Sequence, residues 1–189
     1  MKVEIEQVTD WKRALDAARW TVNKDSAPKE PSNEWKKKVL VAEHSPIRLV
    51  EYDIKLEEIP NKVMGHLVRH HEGVEKFVGT HRSDRTGSDD LEITRMTPTN
   101  LWYAANAQGV INTSYKRLCY CAEKDTRETW NAVKQEMYNV DPILADKMVP
   151  QCVRCGRCPE LKCCGFCNTE KWKEMYKKYW NDESKNVTE

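Results

Sequence analysis

The chain has 189 residues, of which 39% are hydrophobic and 32% charged, with a mean hydropathy of −0.81. This suits one compact domain with a short appendage and excludes two large domains. Lys and Arg total 31 against 30 Asp and Glu, a formal net charge of +1, which gives no strong pull toward duplex nucleic acid or an anionic membrane. No apolar run approaches the ~20 residues that span a bilayer, and the opening MKVEIEQVTD lacks the apolar centre of a secretory signal. The expectation is a soluble, cytoplasmic protein with no membrane partner.

From the amino end, Val3 and Ile5 alternate with charged residues as a short strand does, and Thr9 or Asp10 is placed to cap a helix running to about Val22. Pro28 and Pro31 then mark an exposed loop, and a short element follows at 35–41. Over 47–56, Val50, Tyr52, Ile54 and Leu56 fall on one face and Glu51, Asp53 and Lys55 on the other, which predicts a half-buried strand. Pro60 suits a first helical turn, where its missing N–H goes unneeded. Val63, Met64, Leu67 and Val68 supply the apolar stripe of a helix expected to carry His66, Arg69, His70 and His71.

A short strand at 76–82 and a polar loop at 83–90 lead to Thr97, an N-cap candidate with Pro98 at the first helical position. Leu101, Ala104, Gln108, Ile111, Tyr115, Leu118 and Ala122 recur at alternating three- and four-residue steps, predicting a long central helix over about 98–122. Asn106 and Arg117 would share one face of it and could address one ligand. Further helices are expected at 126–138, from Asp141-Pro142, and from Trp172 to about Trp180, beyond which the tail frays.

Of eight cysteines, six lie within 152–167 in the order C-x2-C-x2-C-x4-C-C-x2-C. In a reducing compartment this favours thiols or metal over disulfides. Paired C-x2-C steps give the sulfur spacing of tetrahedral zinc. Cys152, Cys155, Cys164 and Cys167 make the most symmetrical ligand set, and Cys158 or Cys163 could replace one. Free or redox-active thiols are one alternative. An iron–sulfur cluster is another, set back because the Cys-Pro step comes at the third cysteine rather than a fourth. A zinc knuckle could also act as an interaction module for a partner or single-stranded nucleic acid. Cys119 and Cys121 fall inside the helical pattern, where a thiol behaves as a small buried hydrophobe. Loss of zinc is expected to loosen the tail and spare the rest.

All five histidines lie between His44 and His81, interleaved with Arg48, Arg69 and Arg82. A solvated basic face is the bland reading. Against it, Arg69 and His70 follow the apolar Leu67-Val68 step, and a charge turned toward the protein needs a partner. His66 and His70 stand at metal-sharing spacing, yet Leu67 occupies the place of the glutamate in His-Glu-x-x-His. Neither a Gly-x-Ser-x-Gly elbow nor a Gly-x-x-x-x-Gly-Lys loop occurs.

The runs HSPIR at 44–48, HLVRHHEGVEKFVGTHR at 66–82 and NAQGVINTSYKRL at 106–118 resemble, in order and spacing, the flavin-dependent thymidylate synthases, above all their short phage-type members. The resemblance covers roughly residues 43–130. The family signature of Arg-His-Arg, seven residues and Ser-x-Arg reads here as Arg69-His70-His71, eight residues and Thr80-His81-Arg82. The resemblance implies FAD contacts by His44, Ser45, Arg69, His70, His71, Asn106 and Asn112. It implies a nucleotide-phosphate cradle at Thr80, His81 and Arg82, with Arg117 on the uracil edge and His66 packed on the nucleotide in place of a glutamine. Arg117 and Arg82 are then the catalytic residues. The departures are His71 for arginine, Thr80 for serine, Gln108 where many members carry arginine, Ser83 where tyrosine often follows, and the extra residue in the spacing.

The activity implied is reductive methylation of dUMP to dTMP, with methylenetetrahydrofolate as carbon donor and NADPH as reductant, in a homotetramer whose sites combine subunits. No protein nucleophile is needed, and Cys119 in a buried stripe does not suit a cysteine-based synthase. A relative acting on another pyrimidine nucleotide, or one that binds nucleotide without flavin activity, is the alternative. The fold expected is α+β: a mainly antiparallel sheet packed with helices and containing the long central helix, with a synthase-like domain at 1–150 and a cysteine-rich C-terminal appendage at 151–189.

Overall fold

Alternating side chains and well-placed caps account for most of the elements in the computed structural model, which describes residues 1–87 and 92–181. Strand β1 (Lys2–Gln7) pairs antiparallel with β2 (Glu51–Pro60), setting Val3 opposite Leu56 and Ile5 opposite Ile54. Between them, the Asp10 side chain accepts from the Arg13 N–H to start α1 (Trp11–Trp20), and Ser32 accepts from Trp35 to start α2 (Asn33–Val41). Residues Ser45–Leu49 form a 3-10 turn around Pro46, so the strand expected from Ile47 begins only at Glu51. Helix α3 (Asn61–Leu67) carries His66 but ends before Arg69, His70 and His71, which lie in the turn to β3 (Val74–Val78). A short α4 (Ser83–Thr86) replaces the start of the expected polar loop, whose residues 88–91 lie outside the described residues.

The predicted helix over 98–122 divides in two: β4 (Pro98–Asn106) and α5 (Ala107–Arg117). Thr99, Leu101, Tyr103 and Ala105 are buried in alternation while Trp102 is exposed, a period of two that the three-and-four spacing of Leu101 and Ala104 concealed. β4 pairs with β2 on one side and β3 on the other, giving the antiparallel order β1-β2-β4-β3. Both rows of its backbone hydrogen bonds are thereby used, and Pro98 sits harmlessly at the strand's first position. Leu118 to Ala122 form a turn after α5. Cys121 is therefore exposed and Cys119 half-buried, not fillers of a helical stripe.

Helix α6 (Lys124–Val140) packs on the sheet, and α7 (Pro142–Lys147) packs on α6 and α2. Trp130 meets Tyr103 edge-on at 5.5 Å and donates to Ser114 Oγ at 2.9 Å, locking α6 to β4 and α5. Asp141, buried and capping α7, accepts from Trp11 Nε1 (2.6 Å) and Tyr52 OH (2.7 Å) with Oδ2, and from the Ile143 and Leu144 N–H groups with Oδ1. One carboxylate so joins α1, β2 and α7, with every lone pair answered. The cysteine-rich stretch holds α8 (Gln151–Cys155), a 3-10 turn at Phe166–Asn168 and α9 (Glu170–Asn181). The expected fraying beyond Trp180 falls mostly outside the described residues. No described helix is long and apolar enough to cross a membrane.

Candidate functional site

The junction of β4, α5 and the turn before β3 is closed by glycine. Asn106 ends β4 and caps α5, its Oδ1 accepting from Gly109 N–H at 2.9 Å while its own N–H donates to Gly73 O at 3.0 Å. Gly73 has φ +69, and a Cβ there would stand 2.4 Å from Asn106 Oδ1; one on Gly109 would stand 2.4 Å from Gly73 O. Only glycines let these three segments meet. A cavity of about 330 Å³ opens here, lined by Arg48, Glu72, Gly73, Asn106, Gln108 and Asn112. A second, of about 400 Å³, shares Gly73 and Asn106 and extends past His71 to Tyr52 and Ala105.

The amides along the first turns of α5 are tied together. Gln108 Nε2 donates to Asn112 Oδ1 (3.0 Å) and to Glu43 Oε2 (2.7 Å), and Asn112 Nδ2 donates to Glu72 at 3.4 Å. Glu43 also accepts from Tyr115 OH at 2.6 Å and pairs with Arg154 of α8. Its backbone lies in the left-handed region at φ +47, turning the chain into the exposed His44 and Ser45. Glu43, Gly73 and Arg154 escaped the sequence reading; only the glycine before a strand carried a signal for a tight turn.

At the other end of α5, Arg117 Nε donates to His70 Nε2 at 2.8 Å and its Nη2 to His66 O at 2.6 Å. His70 is held neutral: burial, then the charges of Arg117, Lys76 and His71, bring its pKa down to about 4. A neutral ring accepting at Nε2 carries its proton on Nδ1. His66 is lowered as well, by burial and by Arg117 and Arg69. Its Nδ1 lies 2.7 Å from Thr126 Oγ1, whose hydroxyl in turn lies 3.0 Å from Glu123 Oε2. Burial opposes ionisation of Glu123, but the Thr126 N–H and Lys62 outweigh it and hold the carboxylate at about 2. The charge balance at His66 thus reaches through Thr126 and Glu123 to Lys62.

Asn106 and Arg117 do not converge as the single-helix reading supposed. Eleven helical steps separate them by ~16 Å, so Asn106 belongs to the glycine cradle and Arg117 to the histidine cluster. Arg69 is exposed, and His71 lies 3.2 Å from Lys76 Nζ, a second cation that the sequence reading missed. Beyond β3, His81 Nε2 lies 2.9 Å from Thr99 Oγ1, and Thr80 Oγ1 accepts from the Arg82 N–H at 3.2 Å. The Arg82 guanidinium forks onto Asp84 at 2.9 and 2.7 Å, on the surface and not in the Arg117 cluster.

The cysteines gather around a different point. Cys119, Cys152, Cys158, Cys163, Cys164 and Cys167 line one small cavity between the α5–α6 turn and the appendage; Cys155, exposed at the end of α8, does not. Burial, then the neighbouring thiols, pushes the Cys152 thiol up to about 12.

Against known proteins, the chain matches no family profile and no curated sequence. Its backbone matches a flavin-dependent thymidylate synthase, ThyX, of Helicobacter pylori, crystallised with FAD and dUMP, with a TM-score of 0.65 over 79% of this chain and 100% of that one, at 14% identity. The fold is that of the flavin-dependent thymidylate synthases. A second crystal structure of the Helicobacter pylori protein with FAD and dUMP gives a TM-score of 0.60 at 14% identity, covering 76% of this chain and 99% of that one. A UMP/dUMP methylase, PolB, of Streptomyces cacaoi, bound with 5-Br dUMP, shares the fold with a TM-score of 0.58 over 77% of this chain and 94% of that one, at 10% identity. At such identities the likeness is one of fold, with few residues in common.

Proposed function

We propose that this chain binds FAD and dUMP and methylates dUMP to dTMP reductively, with methylenetetrahydrofolate as carbon donor and NADPH as reductant. The observation that carries the reading is Arg117, a half-buried guanidinium oriented by His70 Nε2 and His66 O, in a fold shared with proteins crystallised with FAD and dUMP. Two of its five N–H groups are spent on that orientation, which leaves donors for a uracil carbonyl. Because the group stays charged, it favours electron density that develops on the pyrimidine when carbon five attacks. His66, beside Arg117, packs on the nucleotide.

The donor set around Gly73 suits a flavin. Asn106, Asn112 and Gln108 offer amides to the polar edge of a ring, and Arg48 offers a fork to phosphates. His44, Ser45, Arg69, His70 and His71 complete the flavin contacts. When bound, the flavin supplies the hydride that turns the transferred carbon into a methyl group; the chain supplies position and charge. Thr80, His81 and Arg82 grip the phosphate, Arg82 exchanging Asp84 for it. Because Arg82 stands outside the Arg117 cluster, that grip is assigned to a neighbouring copy in a homotetramer. Exposed Phe77, Val78 and Trp102, next to the Thr80–Arg82 loop, supply the apolar surface for it. The catalytic unit is residues 1–150, with 151–189 as appendage.

The test is optical. A yellow protein, as purified or after FAD is added, that bleaches with NADPH and forms dTMP from dUMP supports the reading. A colourless protein that binds dUMP yet cannot be reconstituted with FAD favours the nucleotide-binding relative. A strict monomer by light scattering defeats the shared site.

A further inference from the structure

The appendage grips the far end of α5 and the turn that follows it. Tyr120 stacks on Phe166 with ring centres 4.1 Å apart, Lys116 pairs with Glu160 at 2.9 Å, and Cys121 Sγ lies 3.6 Å from Lys162 O. Within these contacts is the thiol-lined cavity, with about 10 Å³ of accessible space. That is room for a single small occupant, not an organic ligand. Cys163 and Cys167 bring their sulfurs to 3.5 Å, close to the ~3.8 Å that four Zn–S bonds of ~2.3 Å impose in a tetrahedron.

The six lining thiols are not equivalent. Cys152 is 7% exposed and packs in the apolar core with Val153 and Phe166, so it is a filler. Cys164 turns toward Cys121, outside the Cys163–Cys167 pair. Cys119, Cys158, Cys163 and Cys167 remain, one from the turn after Arg117 and three from the appendage. We propose that these four thiols form a thiolate site for a zinc-class cation, stapling the appendage to the turn that follows Arg117. Among the described residues no three such side chains already stand at ligand geometry; binding draws Cys119 and Cys158 inward, as in sites that assemble with their metal. This ligand set differs from the contiguous Cys152, Cys155, Cys164, Cys167 set that spacing favours, and it does not rest on the dUMP reading.

The full chain, purified under reducing conditions, should carry about one zinc by elemental analysis. Replacement by Co²⁺ should give the thiolate-to-metal charge-transfer band and the visible bands of a tetrahedral centre. Cys119→Ser and Cys158→Ser should each weaken zinc, in competition with a chelator, by more than the ~10-fold that even outer-sphere changes cause, while Cys155→Ser and Cys121→Ser retain it and Cys119→His restores it. Alkylation of the unaltered chain, mapped by mass spectrometry, needs no variant: zinc should shield Cys119, Cys158, Cys163 and Cys167 and leave Cys155 reactive. Full zinc affinity in a folded Cys119→Ser, shielding of Cys155 in place of Cys119, or a chain that takes up neither zinc nor Co²⁺ would each overturn the proposal.

Discussion

The histidine–arginine cradle and the cysteine appendage touch the same helix but are held together by opposite means. In the cradle each polar group already has a partner: Arg117 rests on His70 and His66, His66 on Thr126, Thr126 on Glu123 and Glu123 on Lys62. Beneath it lies a core of large side chains such as Tyr52, Tyr103 and Trp130, each worth roughly 1.5–3 kcal/mol on burial. Between Cys155 and Phe166 no side chain is buried and Leu161 is fully exposed. A cradle of this kind keeps its shape without a ligand, whereas an appendage so poor in core needs a crosslink.

The comparison breaks first at Gly73. Gly73→Ala adds a methyl 2.4 Å from Asn106 Oδ1 at a backbone angle of φ +69, combining left-handed strain of ~1–2 kcal/mol with overpacking of ~1–3 kcal/mol. We expect a loss of roughly 3 kcal/mol in urea unfolding, with FAD uptake lost before dUMP binding. A variant as stable as the parent would mean that the glycine cradle at Asn106 is not preformed. The next effect is on affinity: Arg117→Ala should weaken dUMP by about 1.5–3 kcal/mol in calorimetry, the range for a charge-assisted hydrogen bond. Unchanged affinity in the folded variant would reduce Arg117 to a strut for His70.

Which parts were legible follows from the same contrast. The β2 alternation of Tyr52, Ile54 and Leu56, the Asp10 cap and the His/Arg/Asn motif order could be read because period and cap chemistry are local. The 98–122 segment could not: strand β4 earns its identity from pairing with β2 and β3, and two of its apolar residues happened to fit the helical spacing that α5 continues. The roles of Glu43 and Arg154 depend on contacts across more than a hundred residues, and the exclusion of Cys155 depends on α8 turning it outward. Spacing alone distinguishes none of these.

A smaller effect separates appendage from cradle. Chelation of the proposed zinc should free the segment after Pro150, raising its amide exchange and proteolysis. It should lower dUMP affinity by less than ~1 kcal/mol, because the contacts of Arg117 run to His66 and His70 and not to a cysteine. Loss of dUMP binding equal to that of Arg117→Ala would show that the two regions are one unit. Arg154→Ala tests the same boundary from the other side. Cutting its pair with Glu43 should disturb FAD uptake, through Gln108, more than dUMP affinity.

The smallest expected effect is in the pH dependence. Folded His70 stays neutral down to about pH 4, because burial and the Arg117, Lys76 and His71 charges oppose its protonation, whereas in the unfolded chain it titrates near ~6.5. Below pH ~6.5 the unfolded chain therefore takes up a proton that the folded one refuses. The stabilisation is complete above that pH and is lost as pH falls from ~6.5 toward 4. His66, lowered by burial and Arg117, acts in the same direction. With water reaching the ring, we expect the His70 share to be about 1–2 kcal/mol, read as a fall in urea midpoint between pH 7 and pH 4.5 that is smaller in His70→Gln. The glutamine can still accept from Arg117 but does not titrate, so dUMP affinity at pH 7 should change little. Equal falls in the two proteins would mean that folding does not lower the His70 pKa, so that below pH ~6.5 the folded ring takes up the proton as well. Its Nε2 could then not accept from Arg117, and the cradle would lose the preformed geometry that distinguishes it from the appendage.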